Sequence, residues 1–320
     1  MVTSSTVSQR PTRTHLRIAT RASELALWQS RHVAAQIEAA WPGVSTELLP
    51  ITTSGDRILD RPLAAIGGKG LFIKELEQAL LAGQADIAVH SMKDVPWELP
   101  PGLHIAVILA REDARDVLVS QTGGALADVP LGAKVGTSSL RRRSQLLALR
   151  PDLELLDLRG NVPTRLGRLE RGDYDAIVLA AAGLKRLGLF SQNACALSAE
   201  SMLPAVGQGA IGIECRCDDN AIETLIAPLH DVLTAHCVRA ERAMNARLGG
   251  SCTVPMAGYA QIDGVHLHLR GLVAAVDGDD IVRQTASGPS ADAERIGDAL
   301  GQALLAAGAD RILRHLHEQK

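Results

Sequence analysis

Gly83-Gln84-Ala85-Asp86-Ile87-Ala88-Val89 and Gly172-Asp173-Tyr174-Asp175-Ala176-Ile177-Val178-Leu179-Ala180 follow one local plan, a Gly-x-x-Asp turn running into a short apolar strand. An apolar run without polar alternation suits a strand buried on both faces, and such strands lie in sheets covered by helices on each side. The flanking segments extend this reading in both directions. Before the first copy, Leu16-Arg17-Ile18-Ala19-Thr20 reads as a strand, and residues 23–40 read as a helix with Leu25, Trp28, His32 and Ile37 near helical spacing. Ser23 is its expected cap and Pro42-Gly43 its stop. A strand over 47–52, a glycine-rich polar stretch over 54–70 and a helix over 71–82 follow. Before the second copy, residues 134–136 end a strand and Thr137-Ser138-Ser139 opens a helix to about Arg150. Residues 153–158 then read as a strand, and Pro163 stands where a helix can begin. Alternating strands and helices predict a mostly parallel sheet, here twice over, in two related α/β lobes. Paired lobes of this kind hold a ligand in the crevice at the carboxyl ends of their strands.

After about Pro228 the pattern changes. A helix to Leu248, strands near 254–262, 266–276 and 280–286, and a long helical stretch from Ser290 describe a smaller α+β unit. The turn Val276-Asp277-Gly278-Asp279-Asp280 is a hairpin signal.

With 320 residues, 46% of them hydrophobic and 22% charged, the chain is expected to be globular with two or three domains. No apolar run approaches the roughly 18 residues that span a bilayer. The polar start, Met1 to His15, reads as a loose tail and not as a secretory signal, so a cytoplasmic protein is expected. A net charge of -3 argues against a general nucleic-acid binder, and 2% aromatic residues supply few stacking platforms. Yet Arg141, Arg142, Arg143, Arg150, Arg159, Arg165, Arg168, Arg171, Lys185 and Arg186 crowd into one lobe, which fits a small polyanionic substrate. The odd set of cysteines (Cys195, Cys215, Cys217, Cys237 and Cys252) points to reduced thiols. Cys215-Arg216-Cys217 lacks the gap of common zinc knuckles, and no metal is expected.

Thr137, Ser138, Ser139, Arg141 and Arg142 combine a helix start, hydroxyls and guanidinium groups, the elements of an anion site. Arg21 and Ser23 stand at the equivalent turn of the first lobe. Lys93 and Asp94 follow a buried strand and can divide anion contact from proton handling or charge stabilisation. Gly207-Gln208-Gly209-Ala210-Ile211-Gly212 matches the dinucleotide fingerprint by letter, but Ile211 to Cys215 continues as strand where that fingerprint opens a helix. Cys252, in Gly249-Gly250-Ser251-Cys252-Thr253, reads either as a nucleophile or as an attachment point.

Together these segments resemble the porphobilinogen deaminase family. The resemblance is carried by Ala19-Thr20-Arg21-Ala22-Ser23, Gly67-Gly68-Lys69-Gly70-Leu71-Phe72, His90-Ser91-Met92-Lys93-Asp94-Val95-Pro96 and Val135-Gly136-Thr137-Ser138-Ser139-Leu140-Arg141-Arg142. It continues through Leu158-Arg159-Gly160-Asn161-Val162 and Leu203-Pro204-Ala205-Val206-Gly207-Gln208-Gly209. It implies a transferase that joins four porphobilinogen molecules head to tail into hydroxymethylbilane, releasing ammonia, in haem biosynthesis. It further implies a dipyrromethane cofactor held by a thioether to Cys252, which makes that residue an anchor, and Asp94 as the catalytic carboxylate. Arg21, Ser23, Lys93, Thr137, Ser138, Ser139, Arg141, Arg142, Arg159, Arg165, Arg186 and Gln208 become binders of cofactor and substrate, with Lys69 and Phe72 on an active-site loop. The Gln208 region becomes the crossing between lobes, while Arg143 receives no role. The implied fold has two periplasmic-binding-protein-like α/β lobes plus a smaller α+β C-terminal domain. Its limits would be a flexible tail over 1–14, domain 1 over 15–110 and 210–228, domain 2 over 111–209, and domain 3 over 229–320 with Cys252. A monomer with no nucleic-acid or membrane partner is expected. The rival class, a periplasmic-type ligand-binding module, leaves Asp94 and Cys252 without a use.

Overall fold

The computed structural model of the chain describes residues 13–57, 70–250 and 254–318. Lys69 and Cys252 lie outside these described residues.

The first sheet starts with His15–Arg21 (β1), whose Leu16 and Ile18 enter one core while Ala19 enters the core on the opposite face. Glu24–Ala40 (α1) begins where the Ser23 hydroxyl accepts a hydrogen bond from the Ala26 amide at 3.4 Å, and it packs Val33, Ala34 and Ile37 against the first face. Ser45–Ile51 (β2) pairs with β1 in parallel register, His15 opposite Ser45. Lys74–Leu81 (α2) covers the second face through Leu76, Ala79 and Leu80. Ile87–Ser91 (β3) also runs parallel to β1, and Leu103–Ile108 (β4) forms the far edge.

The second lobe contains Asp116–Ser120 (β5), Lys134–Gly136 (β6), Leu140–Leu149 (α3), Glu154–Leu156 (β7), Val162–Glu170 (α4), Ala176–Ala180 (β8), Ala181–Arg186 (α5) and Ala194–Ala196 (β9). Ile211–Arg216 (β10) and Asn220–Ile226 (α6) then return the chain to the first lobe. The sheet orders are β2-β1-β3-β10-β4 and β7-β6-β8-β5-β9, the same plan strand for strand. The expectation of mostly parallel sheets is therefore half met. β1, β2 and β3 run parallel, as do β6, β7 and β8, but β10 and β5 are antiparallel to both neighbours. Each of these fourth strands belongs to chain that has just crossed from the other lobe. It enters at the crevice, where the parallel strands end, and so must run against them.

The third unit packs Val232–Arg247 (α7) and Ala293–Leu304 (α8) on an antiparallel sheet of Met256–Asp263 (β11), His266–Ala274 (β12) and Ile281–Pro289 (β13). Met244, Leu269 and Leu300 lie in its core. The long helical stretch expected from Ser290 is broken at Leu305–Ala309, where Gly308 has φ 107°, before Asp310–Glu318 (α9). The molecule thus has two α/β lobes and a smaller α+β unit. No helix among the described residues is long and apolar enough to cross a membrane.

Candidate functional site

Strand β3 delivers Lys93 and Asp94 to the crevice in a single 3-10 turn, Met92–Asp94. Contacts from several elements fix this turn. His90, within β3, meets Glu214 of β10 at 2.8 Å in the buried core, and Gln29 of α1 donates to the Ser91 hydroxyl at 2.8 Å. The Met92 amide donates to the Ala210 carbonyl at 3.0 Å. From the third unit, Arg242 of α7 donates to the carbonyls of Val95, Pro96 and Trp97 at 3.1, 2.8 and 3.3 Å. The helix that leads toward Cys252 thus grips the backbone immediately after Asp94. Burial pushes the Lys93 ammonium down to about 8, Asp94 and Asp116 opposing that shift and Arg142 and Arg141 adding to it.

Across the crevice, Ser139 caps α3, its hydroxyl accepting from the Arg142 amide at 3.4 Å. The Thr137 hydroxyl accepts from the Ser139 amide at 3.2 Å, and the Ser138 hydroxyl both accepts from the Leu158 amide and donates to the Leu158 carbonyl at 3.0 Å. These three hydroxyls shape the turn. Arg141 and Arg142 are buried, and both grip Asp116, the first residue of β5. Arg141 donates at 2.6 and 3.1 Å, and Arg142 at 2.8 and 3.0 Å. Arg141 also reaches the Leu203 carbonyl and Arg142 the Val178 carbonyl. Burial alone would raise the Asp116 carboxyl, but the two guanidinium groups outweigh it and hold the group well below the usual carboxylate range. Gln208 adds a bond to Asp116 at 3.0 Å and one to the Ala114 carbonyl at 2.6 Å. Arg143 points elsewhere, tying α3 to β7 through the Leu155 carbonyl at 2.9 Å.

Arg165 donates through Nε to the Gly160 carbonyl at 2.8 Å. Burial and the neighbouring Arg142 and Arg159 push it down to about 10, Asp94 partly offsetting them. Lys93 feels Arg141, Arg142, Asp94 and Asp116, and Arg165 feels Arg142, Arg159 and Asp94, so these cations share one electrostatic neighbourhood around two carboxylates. Such a cluster is short of negative charge, and a ligand bearing several carboxylates completes it. The residues present fit a polycarboxylate pyrrole group.

Arg21 and Arg186 keep other company. Arg21 pairs with Asp56 and lies over the Phe72 ring at 4.3 Å, which brings Phe72 to the wall of the first lobe. Arg186 donates to the Gly209 carbonyl at 2.7 Å and lies over Trp28 at 5.8 Å. Burial lowers it to about 10, with Glu112 opposing. A cavity of about 650 Å³ separates α1 from α4 and is lined by Trp28, Arg31, Pro163 and Leu166 among others. Its charged lining, Glu24, Arg31 and Glu170, has no excess of cations, so the cation cluster and not this gap is the candidate site.

The glycines that imitate a nucleotide fingerprint have a packing reason instead. Gly207 has φ 70°, and a Cβ there would stand 2.8 Å from the Met92 Cβ. Gly209 has φ 88°, and a Cβ there would meet the Glu112 carbonyl oxygen at 2.3 Å. Without a side chain at Gly207 the linker reaches the Met92–Lys93 backbone, and without one at Gly209 it packs against the Glu112 carbonyl of the chain entering the second lobe.

Sequence reasoning passed over Asp116, Arg242, Asp56 and the buried pair Arg111–Glu241. Glu241 accepts from Arg111 at 2.7 and 2.8 Å, from the Gly207 amide at 2.7 Å and from the Ala260 amide at 2.8 Å. One signal was present. Glu241 lies three or four residues from Cys237, Val238 and Met244, on the apolar face of α7, where a carboxylate needs a partner.

Residues 16–224 match the family described as porphobilinogen deaminase, dipyromethane cofactor binding domain, and residues 235–306 match porphobilinogen deaminase, C-terminal domain. Among solved structures, the periplasmic VFT2 domain of BvgS from Bordetella pertussis is similar at 15% identity and a TM-score of 0.41, covering 67% of this chain and 86% of that one. A TRAP periplasmic solute binding protein from Desulfovibrio salexigens is similar at 14% identity and a TM-score of 0.40, covering 68% and 72%. Neither carries weight at these scores. The two-lobed architecture rests on the sheets themselves.

Proposed function

The chain belongs to the porphobilinogen deaminase family, a transferase that makes hydroxymethylbilane with a dipyrromethane cofactor, and from that premise we propose which residues do the work. Cys252 anchors the cofactor through a thioether, and Asp94 is the carboxylate that acts in each turnover. When bound, dipyrromethane supplies the primer to which porphobilinogen units are joined. Lys93, Arg141, Arg142, Arg159 and Arg165 bind the acetate and propionate groups of primer and substrate. The observation that carries this reading is the cluster of buried cations, Lys93, Arg141, Arg142 and Arg165, that shares the electrostatic neighbourhood of Asp94 and Asp116.

Asp94 holds a negative charge where a pyrrole N–H becomes electron-poor as ammonia departs, and the surrounding cations orient the ring by its carboxylates. Asp116 keeps Arg141 and Arg142 fixed, so little reorganisation is needed when a carboxylate arrives. Gln208 holds Asp116 in turn, while Thr137, Ser138, Ser139 and Ser23 set the turns that face the crevice. Arg21, Phe72 and Arg186 line the approach, and Lys69 belongs to the loop before Phe72. The domain limits follow the crossings, with domain 1 over 15–110 and 210–228, domain 2 over 111–209 and domain 3 over 229–320. The protein works as a cytoplasmic monomer.

Intact mass and kinetics test this together. The active protein is expected to exceed its sequence mass by one dipyrromethane, and Cys252→Ala to lose that addition. Asp94→Ala is expected to retain the added mass yet lose turnover on the order of 100- to 1,000-fold. An unmodified active protein, or near-normal turnover in Asp94→Ala, removes the corresponding assignment.

A further inference from the structure

Away from the crevice, His104 on β4, Cys215 on β10 and Glu223 on α6 bring their ligand atoms within 4.8 Å of one another. His104 and Cys215 are directly opposed across the antiparallel pair, so their side chains share one face of the sheet. The His104 Nε2 lies 3.4 Å from the Cys215 sulfur and 3.0 Å from the Glu223 Oε1. If Nε2 carries a proton it donates to Glu223, and the sulfur at 3.4 Å takes at most a weak share of that N–H. If Nε2 is bare it accepts from the thiol, and its lone pair faces a carboxylate. A cation would use all three atoms at once, with their lone pairs pointing at one centre.

We propose that His104, Cys215 and Glu223 form a binding site for a borderline divalent cation of the zinc class, with its remaining position open to water. The mixed nitrogen, sulfur and oxygen set suits zinc or cobalt(II) better than magnesium or calcium, which take oxygen ligands. The N–S separation of 3.4 Å is close to the edge of a tetrahedron with bonds of about 2.0–2.3 Å, the N–O separation of 3.0 Å is shorter than that edge, and all three atoms lie within 4.8 Å of one another. Solvent reaches the site past His104 and Glu223, whose side chains are 39% and 36% exposed, while Cys215 is fully buried beneath them. Burial, with Glu223 and Asp219 nearby, pushes the Cys215 thiol up to about 12, so the ion must displace its proton. One metal–sulfur bond forms, one S–H bond breaks, and the proton leaves to solvent. Three ligands from a strand pair and a helix are held by the fold before the ion arrives, and the ion would clip α6 to the sheet.

Cobalt(II) is the probe, titrated into the cofactor-bearing full chain after treatment with a chelator. One equivalent is expected to bind with a thiolate-to-cobalt absorption band in the near ultraviolet. Cys215→Ser should abolish that band, whereas Cys217→Ser, at an exposed cysteine two residues away, should keep it. His104→Ala, at a half-exposed position that threatens folding less, should weaken binding by at least about tenfold. Absence of stoichiometric uptake, a band that survives Cys215→Ser, or unchanged affinity in His104→Ala would each overturn the proposal.

Discussion

Lys93 is where burial and charge have a consequence that can be titrated. Its ordinary value of 10.5 falls to about 8, so the ammonium that binds a carboxylate is present below about pH 8 and lost above it. The KM for porphobilinogen should therefore rise above about pH 8, by at most about tenfold per pH unit, the limit for one proton. Lys93→Arg, which stays charged, should flatten that rise. Stability moves the other way. Between about 8 and 10.5 the unfolded chain binds more protons at this position than the folded one, so this residue's contribution to stability increases with pH. Binding that weakens while the melting temperature holds or climbs would separate the Lys93 effect from general unfolding, whereas a KM independent of pH in the wild type would refute it. Arg141 and Arg142 were legible in the sequence because they stand at the start of a helix, where an anion is expected, and Lys93 because it follows a buried strand. Their partners were not. Asp116 heads an apolar run and reads as the edge of a strand, and only the fold places Arg141, Arg142 and Gln208 around it.

At the scale of elements, the linker from Leu203 to Ala210 packs against the Met92–Lys93 backbone at Gly207 and against the Glu112 carbonyl, on the other crossing, at Gly209. Gly209 has a left-handed backbone and a carbonyl oxygen where its Cβ would lie, whereas Gly188 has φ 68° and open space around it. Gly188→Ala should thus cost only the backbone strain, about 1 kcal/mol. Gly209→Ala adds a backbone collision and should cost about 1–3 kcal/mol more in chemical denaturation, with loss of turnover as Gln208 is drawn off Asp116. Equal costs at the two positions would show that close approach is unimportant. Periodicity located most of the strands and helices to within a few residues at each end, but it passed over β4, β5, β9, α5 and α6, which are short and lack a clear repeat. The direction of β5 and β10 was not readable, since antiparallel insertion depends on where the chain re-enters a lobe, a fact of topology that local pattern does not encode.

For the whole molecule, the two crossings and the third unit converge on one carboxylate. Glu241 of α7 holds Arg111 from the first crossing, the Gly207 amide from the second, and the Ala260 amide from β11. Arg111 also lies over the Tyr259 ring of β11 at 5.4 Å. The same helix sends Arg242 to the backbone after Asp94, so the position of the third unit is coupled to both crossings and to the Lys93–Asp94 turn. Glu241→Gln keeps the shape but removes the charge and turns an N–H₂ group toward donors. It leaves the Arg111 guanidinium uncompensated in a buried place, at a cost of about 3–5 kcal/mol. If Glu241 is what binds the three units, the loss will be local before it is global. Amide hydrogen exchange should accelerate over residues 109–115 and 203–210 and at Ala260, while the central strands β1, β3, β6 and β8 keep their protection. Turnover should fall with the cofactor still attached, because the crossings set how the lobes meet around it. Exchange that rises uniformly across both lobes would make Glu241 an ordinary core contact, and exchange unchanged at the crossings would show that it does not hold them.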